Sequence, residues 1–186
     1  MFPFLRVLAA SLALSGCAAI VPSTAARLAT FDPLTADPAA IELVVILPPG
    51  LAVSPGSARL ELAAVRGSER REGSFRLADR PADQGPVVPE GASARRFAIA
   101  EVDVPRMRAL QADIAAWKRT GDARGSLGLG IGGCAVGDGP AEGARGSVLI
   151  RVAADGQFLP LIHDGRLADL LGAEVLAAIK PCQGAE

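Results

Sequence analysis

Apolar and polar residues alternate with period two over most of this chain, and two stretches switch to helical spacing. IELVVIL, residues 41–47, is a β-branched run closed by Pro48-Pro49-Gly50, and it predicts a strand. ARLELAAV (58–65) alternates Arg59 and Glu61 with Leu60 and Leu62, the mark of a half-buried antiparallel strand. REGSFRLA (71–78), with Phe75 and Leu77 on one face, and RRFAIAEVDV (95–104) predict two more. Residues 79–92, with three prolines and two glycines, read as an exposed loop between them.

Helical spacing begins at Pro105, a good first helical position. Met107, Leu110, Ile114 and Trp117 recur on one face, Lys118 and Arg119 occupy the last turn, and Gly121 can end the helix. In SLGLGIGGC (126–134), Leu127, Leu129 and Ile131 alternate with Gly128, Gly130 and Gly132, which predicts a strand with one face stripped of side chains. Another backbone or the preceding helix is expected to pack closely there. SVLIRVAA (147–154) and QFLPLI (157–162) flank Asp155-Gly156, the strongest hairpin signal in the chain. A final helix is expected from a cap at Asp164, carrying Leu167, Leu170, Leu171, Val175, Leu176 and Ile179, with Gly172 able to break it and Pro181 ending it. Asp37-Pro38 predicts one short turn of helix before the first strand. The order is four strands, a helix, three strands, a helix. The fold class is α+β: a mainly antiparallel sheet or sandwich of about seven strands with two covering helices.

The N-terminus follows different rules. MFPFLRVLAASLALSGC has one charge, Arg6, then an apolar run too short to span a bilayer, which needs roughly 20 residues. A cationic start, an apolar middle and small residues at the end form an export signal. Leu14-Ser15-Gly16-Cys17 resembles the lipobox of bacterial lipoproteins. That resemblance implies acylation of the Cys17 thiol and cleavage before it. It implies a signal peptide over 1–16, a lipidated Cys17 with a flexible tether over 17–36, and a single domain over 37–186. More than one acyl chain holds a protein stably on a membrane. Ala18, not Asp, follows the cysteine, which favours the outer over the inner membrane. The expected location is the envelope, facing the periplasm, with the membrane reached through the lipid.

Composition narrows the classes further. Without Arg6 the chain carries 18 basic and 20 acidic residues, a net charge of −2, so no nucleic-acid partner is expected. The pairs Arg70-Arg71 and Arg95-Arg96 read as solvated strand faces. Tyrosine is absent, leaving poor material for a sugar-binding surface. Cys134 and Cys182 remain after lipidation, an even pair in an oxidising compartment. A disulfide is the main expectation. Free thiols and a catalytic Cys134 are the alternatives. Gly133-Cys134 has the Gly-Cys of L,D-transpeptidases, but their histidine precedes it, whereas His163 lies downstream.

Gly128, Gly130 and Gly133 satisfy a dinucleotide pattern, yet CAVGDGPAEGARG follows and cannot open the helix that a pyrophosphate needs. No nucleotide, cofactor or metal is expected. One histidine is too few for a zinc hydrolase, and no G-x-S-x-G elbow presents a serine. His163 reads as a strand-end residue with a satisfied hydrogen bond, and Asp138 and Asp155 as turn formers. The leading expectation is a non-catalytic, lipid-anchored interaction or accessory module with an envelope protein as partner. The alternative is a binding or carrier module for an apolar ligand, with the glycine-striped strand and helix 105–119 lining a cleft. An envelope hydrolase or crosslinking enzyme would need Cys134 or His163 in a cleft with a partner.

Overall fold

Strand β1 (Glu42–Leu47) is apolar on both faces, and this lets it run through the interior of a sheet. Leu43 and Val45 point to one side, Val44 and Ile46 to the other, and all four are buried. The computed structural model describes residues 33–81 and 86–182. The segments expected from sequence to be a signal peptide and a lipidated tether, up to residue 32 and including Cys17, lie outside the described residues.

The remaining elements are β2 (Leu51–Val53), β3 (Arg59–Arg66), β4 (Glu69–Arg80), β5 (Ser93–Ile99), α1 (Val104–Arg119), β6 (Arg124–Gly130), β7 (Gly133–Ala135), β8 (Arg145–Arg151), β9 (Leu159–Arg166), α2 (Leu167–Leu171) and α3 (Ala173–Ala177). Seven strands form one antiparallel sheet in the order β6-β3-β4-β5-β1-β8-β9. The sheet is curled. Leu127 and Leu129 of β6, at one edge, border the same hollow as Leu161 of β9, at the other. The α+β class expected from the alternation is the one observed, with one long and two short helices.

The core lies inside the curl. Leu60 and Leu62 of β3 pair with Leu129 and Leu127, and Leu60 also pairs with Phe75. Leu43 stands between Phe97 and Ile150. Helix α1 covers this face, with Met107 and Ile114 wholly buried and Trp117 nearly so. Each such side chain contributes about 2 kcal/mol by burial. Trp117 also lies between the guanidinium groups of Arg66 and Arg71, 4.5 and 4.7 Å from its ring centre. Gln111, a buried polar residue of α1, donates to the carbonyls of Pro33 (2.7 Å) and Ala36 (2.9 Å). Leu34 and Ala36 pack on the core as well. Residues 33–36, placed in the tether from sequence, are therefore held against the helix. Asp37 caps a single 3-10 turn, Pro38–Ala40, as its sequence implies.

Several local expectations change. The fourth strand stops at Ile99, because a 3-10 turn at Glu101–Asp103 swings the chain into α1. Asp155-Gly156 does not make a two-residue hairpin. Residues 152–158 connect β8 to β9, with a turn closed from Gly156 N–H to the Ala153 carbonyl. Asp164 does not cap the last helix. It lies inside β9 at φ 47°, pairs with Arg145 at 2.8 Å, and donates its own N–H to the Ser147 hydroxyl oxygen. Irregular pairing of β8 with β9 carries the strand on to Arg166. The final helix starts at Leu167 and is broken at Gly172, whose φ of 86° suits glycine.

The glycine stripe behaves differently from its reading. A Cβ at Gly128 would meet only the Glu61 side chain at ordinary contact distance, and one at Gly130 would meet open space. Nothing packs closely at these two, because β6 is an edge strand and they face outward beside Arg59 and Glu61, whereas at Gly132, just past the strand, the chain does pack closely and a Cβ would lie 2.9 Å from the Ser57 side chain.

Candidate functional site

Six parts of the chain converge on a large apolar cavity at the end of the sheet where β1 leaves it. The Pro48-Pro49-Gly50 turn folds the chain back from β1, and β2 pairs with β7 in a separate two-stranded ribbon. Gly50 adopts φ 85° and touches the Gly139 backbone so closely that a Cβ would lie 2.0 Å from its carbonyl oxygen. Only glycine fits that crossing. Leu51, Ala52 and Ser54 form one wall of the cavity, and Ile131, Gly132 and Cys134 the next. Ile46 and Leu47 of β1, Val148 of β8 and Ile162 of β9 make the floor.

The C-terminal helices make the roof. Leu167 is buried, pressed near Gly146, where a Cβ would lie 3.3 Å from its side chain. Its N–H donates to the Ala144 carbonyl at 2.9 Å. Beyond Leu167 the roof buries no further side chain: Leu171 is 46% and Val175 56% exposed. Leu170, Leu171, Val175 and Ile179 all line the cavity. The far end is tied to β7. The Ala135 N–H donates to the Lys180 carbonyl and the Cys182 N–H to the Ala135 carbonyl, both at 2.9 Å. The sulfurs of Cys134 and Cys182 stand 2.08 Å apart, at disulfide distance.

The cavity measures about 1070 Å³, at the top of the roughly 300–1,000 Å³ range of small-molecule sites. Its walls are aliphatic. Ser54, Ser147 and Lys180 are its lining residues with polar side chains. It is not the cleft expected from sequence. Helix α1 is packed solidly on the core and contributes no lining residue. The glycine-rich stretch enters only at its end, through Ile131 to Gly133. Leu127, Gly128 and Leu129 instead border a small hollow of about 260 Å³ with Leu60 and Leu161.

The residues singled out for catalysis are scattered. Cys134 is buried beside Cys182. His163 is exposed inside β9, not at a strand end, and among the described residues its ring makes no hydrogen bond. Among the described residues no three His, Cys, Asp or Glu side chains gather as metal ligands, and no helix is long and apolar enough to cross a membrane.

Two polar clusters were not foreseen. Glu42 accepts from Arg96 Nε (2.8 Å) and from Arg151 Nη2 (2.6 Å), and Phe158 lies under both guanidiniums. Arg96 is thus largely covered, not solvated as its place in an Arg pair implied, while Arg70, Arg71 and Arg95 lie at ion-pairing distance from Glu72, Asp113 and Asp79. Asp103 is buried. Burial would raise its carboxyl pKa, but the Arg76 N–H at 2.7 Å and the Arg106 guanidinium outweigh burial and hold it below the usual value. Both clusters are structural ties between neighbouring elements.

The cavity itself left a faint signal. The last helix has more apolar positions than one helical face can bury: Leu170 and Leu171 are adjacent, with Val175, Leu176 and Ile179 beyond. Lys180 left none. Compared with protein-family models, with curated proteins and with solved structures, the chain matches none.

Proposed function

We propose that this protein is an envelope lipoprotein, held by acylated Cys17 and facing the periplasm, whose domain binds an apolar ligand without catalysing a reaction. The observation that carries the reading is the 1070 Å³ cavity roofed by side chains that the protein itself leaves exposed. An aliphatic side chain such as Val175 gains burial only from whatever enters beneath it. The lipobox supports the anchor, and an oxidised Cys134–Cys182 pair suits the periplasm. Ala18 after the lipobox favours the outer membrane.

The test is photocrosslinking in membranes of cells that make the full chain. The probe is a sixteen-carbon alcohol carrying a diazirine in its chain. Crosslinks on peptides containing Ile162, Leu170 or Val175 are expected. Crosslinks confined to the tether overturn the cavity reading. Intact mass of the extracted chain tests the anchor: a chain starting at an acylated Cys17 is expected, with two alkylations gained only after reduction.

An envelope protein partner is the second reading. Its support is that exposed Leu171 and Val175 line the cavity and exposed Val136 directly follows β7. A photoreactive residue at position 175 that captures one discrete envelope protein would favour it.

A further inference from the structure

We infer that the cavity takes a long-chain amphiphile with an anionic head, its chain among the aliphatic walls and its head at Lys180. The inference rests on the cavity being a binding site. Lys180 is the one lining residue with an ionisable side chain. It is exposed, and among the described residues its ammonium has no ion-pair partner. Most of the sheet's arginines do have one.

Its placement is also specific. The Lys180 carbonyl takes the Ala135 N–H, Pro181 bridges to Ala135 in parallel, and Cys182 is tied to Cys134. The backbone is therefore fixed against β7, and a flexible four-carbon stem carries the ammonium from that fixed point on the lining. A cavity of this kind gains affinity from its walls and orientation from a few polar groups. Each methylene buried among the walls tightens binding about fourfold. The sign of the head is decided by the one charge available. A neutral head gains only a hydrogen bond from an ammonium, without charge attraction, and a cationic head is repelled. A carboxylate or phosphate gains a charge-assisted hydrogen bond. The Ser147 hydroxyl, also on the lining, accepts from the Asp164 N–H and keeps its own proton to donate.

The experiment uses the full chain in membranes and two diazirine probes with the same chain, palmitic acid and hexadecanol. Crosslinks are mapped to residues 167–181. Lys180→Gln is expected to lower labelling by the acid about threefold to fivefold and to leave labelling by the alcohol within experimental scatter. Lys180→Arg is expected to retain acid labelling. If the acid is unaffected by Lys180→Gln, or if both probes fall together, the inference fails while the cavity reading stands. If neither probe labels the unsubstituted chain, the cavity reading fails first. Competition then separates the sources. Displacement of the acid probe by palmitate at lower concentration than by phosphatidylglycerol identifies a carboxylate head. The reverse order identifies a phosphate. Equal displacement by unlabelled hexadecanol removes the role of charge.

Discussion

Helix α1 and the C-terminal roof are built from similar residues and do opposite things. Helix α1 buries Met107 and Ile114 completely against β3 and β4, and ties its buried Gln111 to the chain before β1. The roof, α2 and α3, buries Leu167 and leaves Leu171 and Val175 about half exposed. Both sequences are rich in aliphatic side chains. What differs is the surface each meets: α1 meets side chains from the sheet, and the roof meets a hollow. A helix becomes core or lid according to what stands opposite it.

Breaking the tie that holds the roof has the largest expected effect. Replacing Cys182 with serine opens a loop of 48 residues, at a cost of about 4 kcal/mol on the chain-entropy model. Hydrogen exchange is expected to quicken over 167–182 far more than over 104–119. Equal quickening would show that roof and α1 open as one unit.

Next comes the packed side. Ile114→Ala should cost about 3 kcal/mol in urea denaturation, since its side chain is wholly enclosed. A loss below about 1 kcal/mol, a third of that expected for an enclosed side chain, would mean that α1 is as loosely seated as the roof.

Asp103 sharpens the comparison by pH. Its folded pKa lies below the ordinary 3.8, so its stabilisation is full above that value and is lost as pH falls through the lower, folded one. Asp103→Asn is expected to cost about 2 kcal/mol at pH 7, and the two stability curves should converge as pH falls through the lowered, folded pKa. Curves that stay parallel into acid would assign the tie at the start of α1 to another group.

The smallest effect belongs to the roof. Leu171→Ala is expected to change stability by less than about 0.5 kcal/mol while weakening crosslinking of the hexadecanol probe. A loss of 2 kcal/mol or more, the size expected of a packed aliphatic residue, would erase the distinction between the two helices.

Strand and helix were legible where the pattern is local. The alternation at 58–65 placed β3, and the Met107-Leu110-Ile114-Trp117 spacing placed α1. Asp37-Pro38 placed its short turn. The short ribbon of β2 and β7 was not legible, because three-residue strands carry too little period to register. Asp155-Gly156 and Asp164 misled for a related reason. Each has a strong local preference, and irregular pairing between β8 and β9 overrode both.

By itself the sequence determined the period of the longer elements, the presence of Cys134 and Cys182, and the apolar character of the last helix. Those properties depend on neighbours along the chain. Only the tertiary structure decided that Leu170, Val175 and Lys180 face a hollow shared with β1, β2, β7 and β9. The physical reason is that periodicity records which faces are apolar. Whether an apolar face closes on another or stops short of it depends on the curl of the sheet and on where β7 holds the end of the chain.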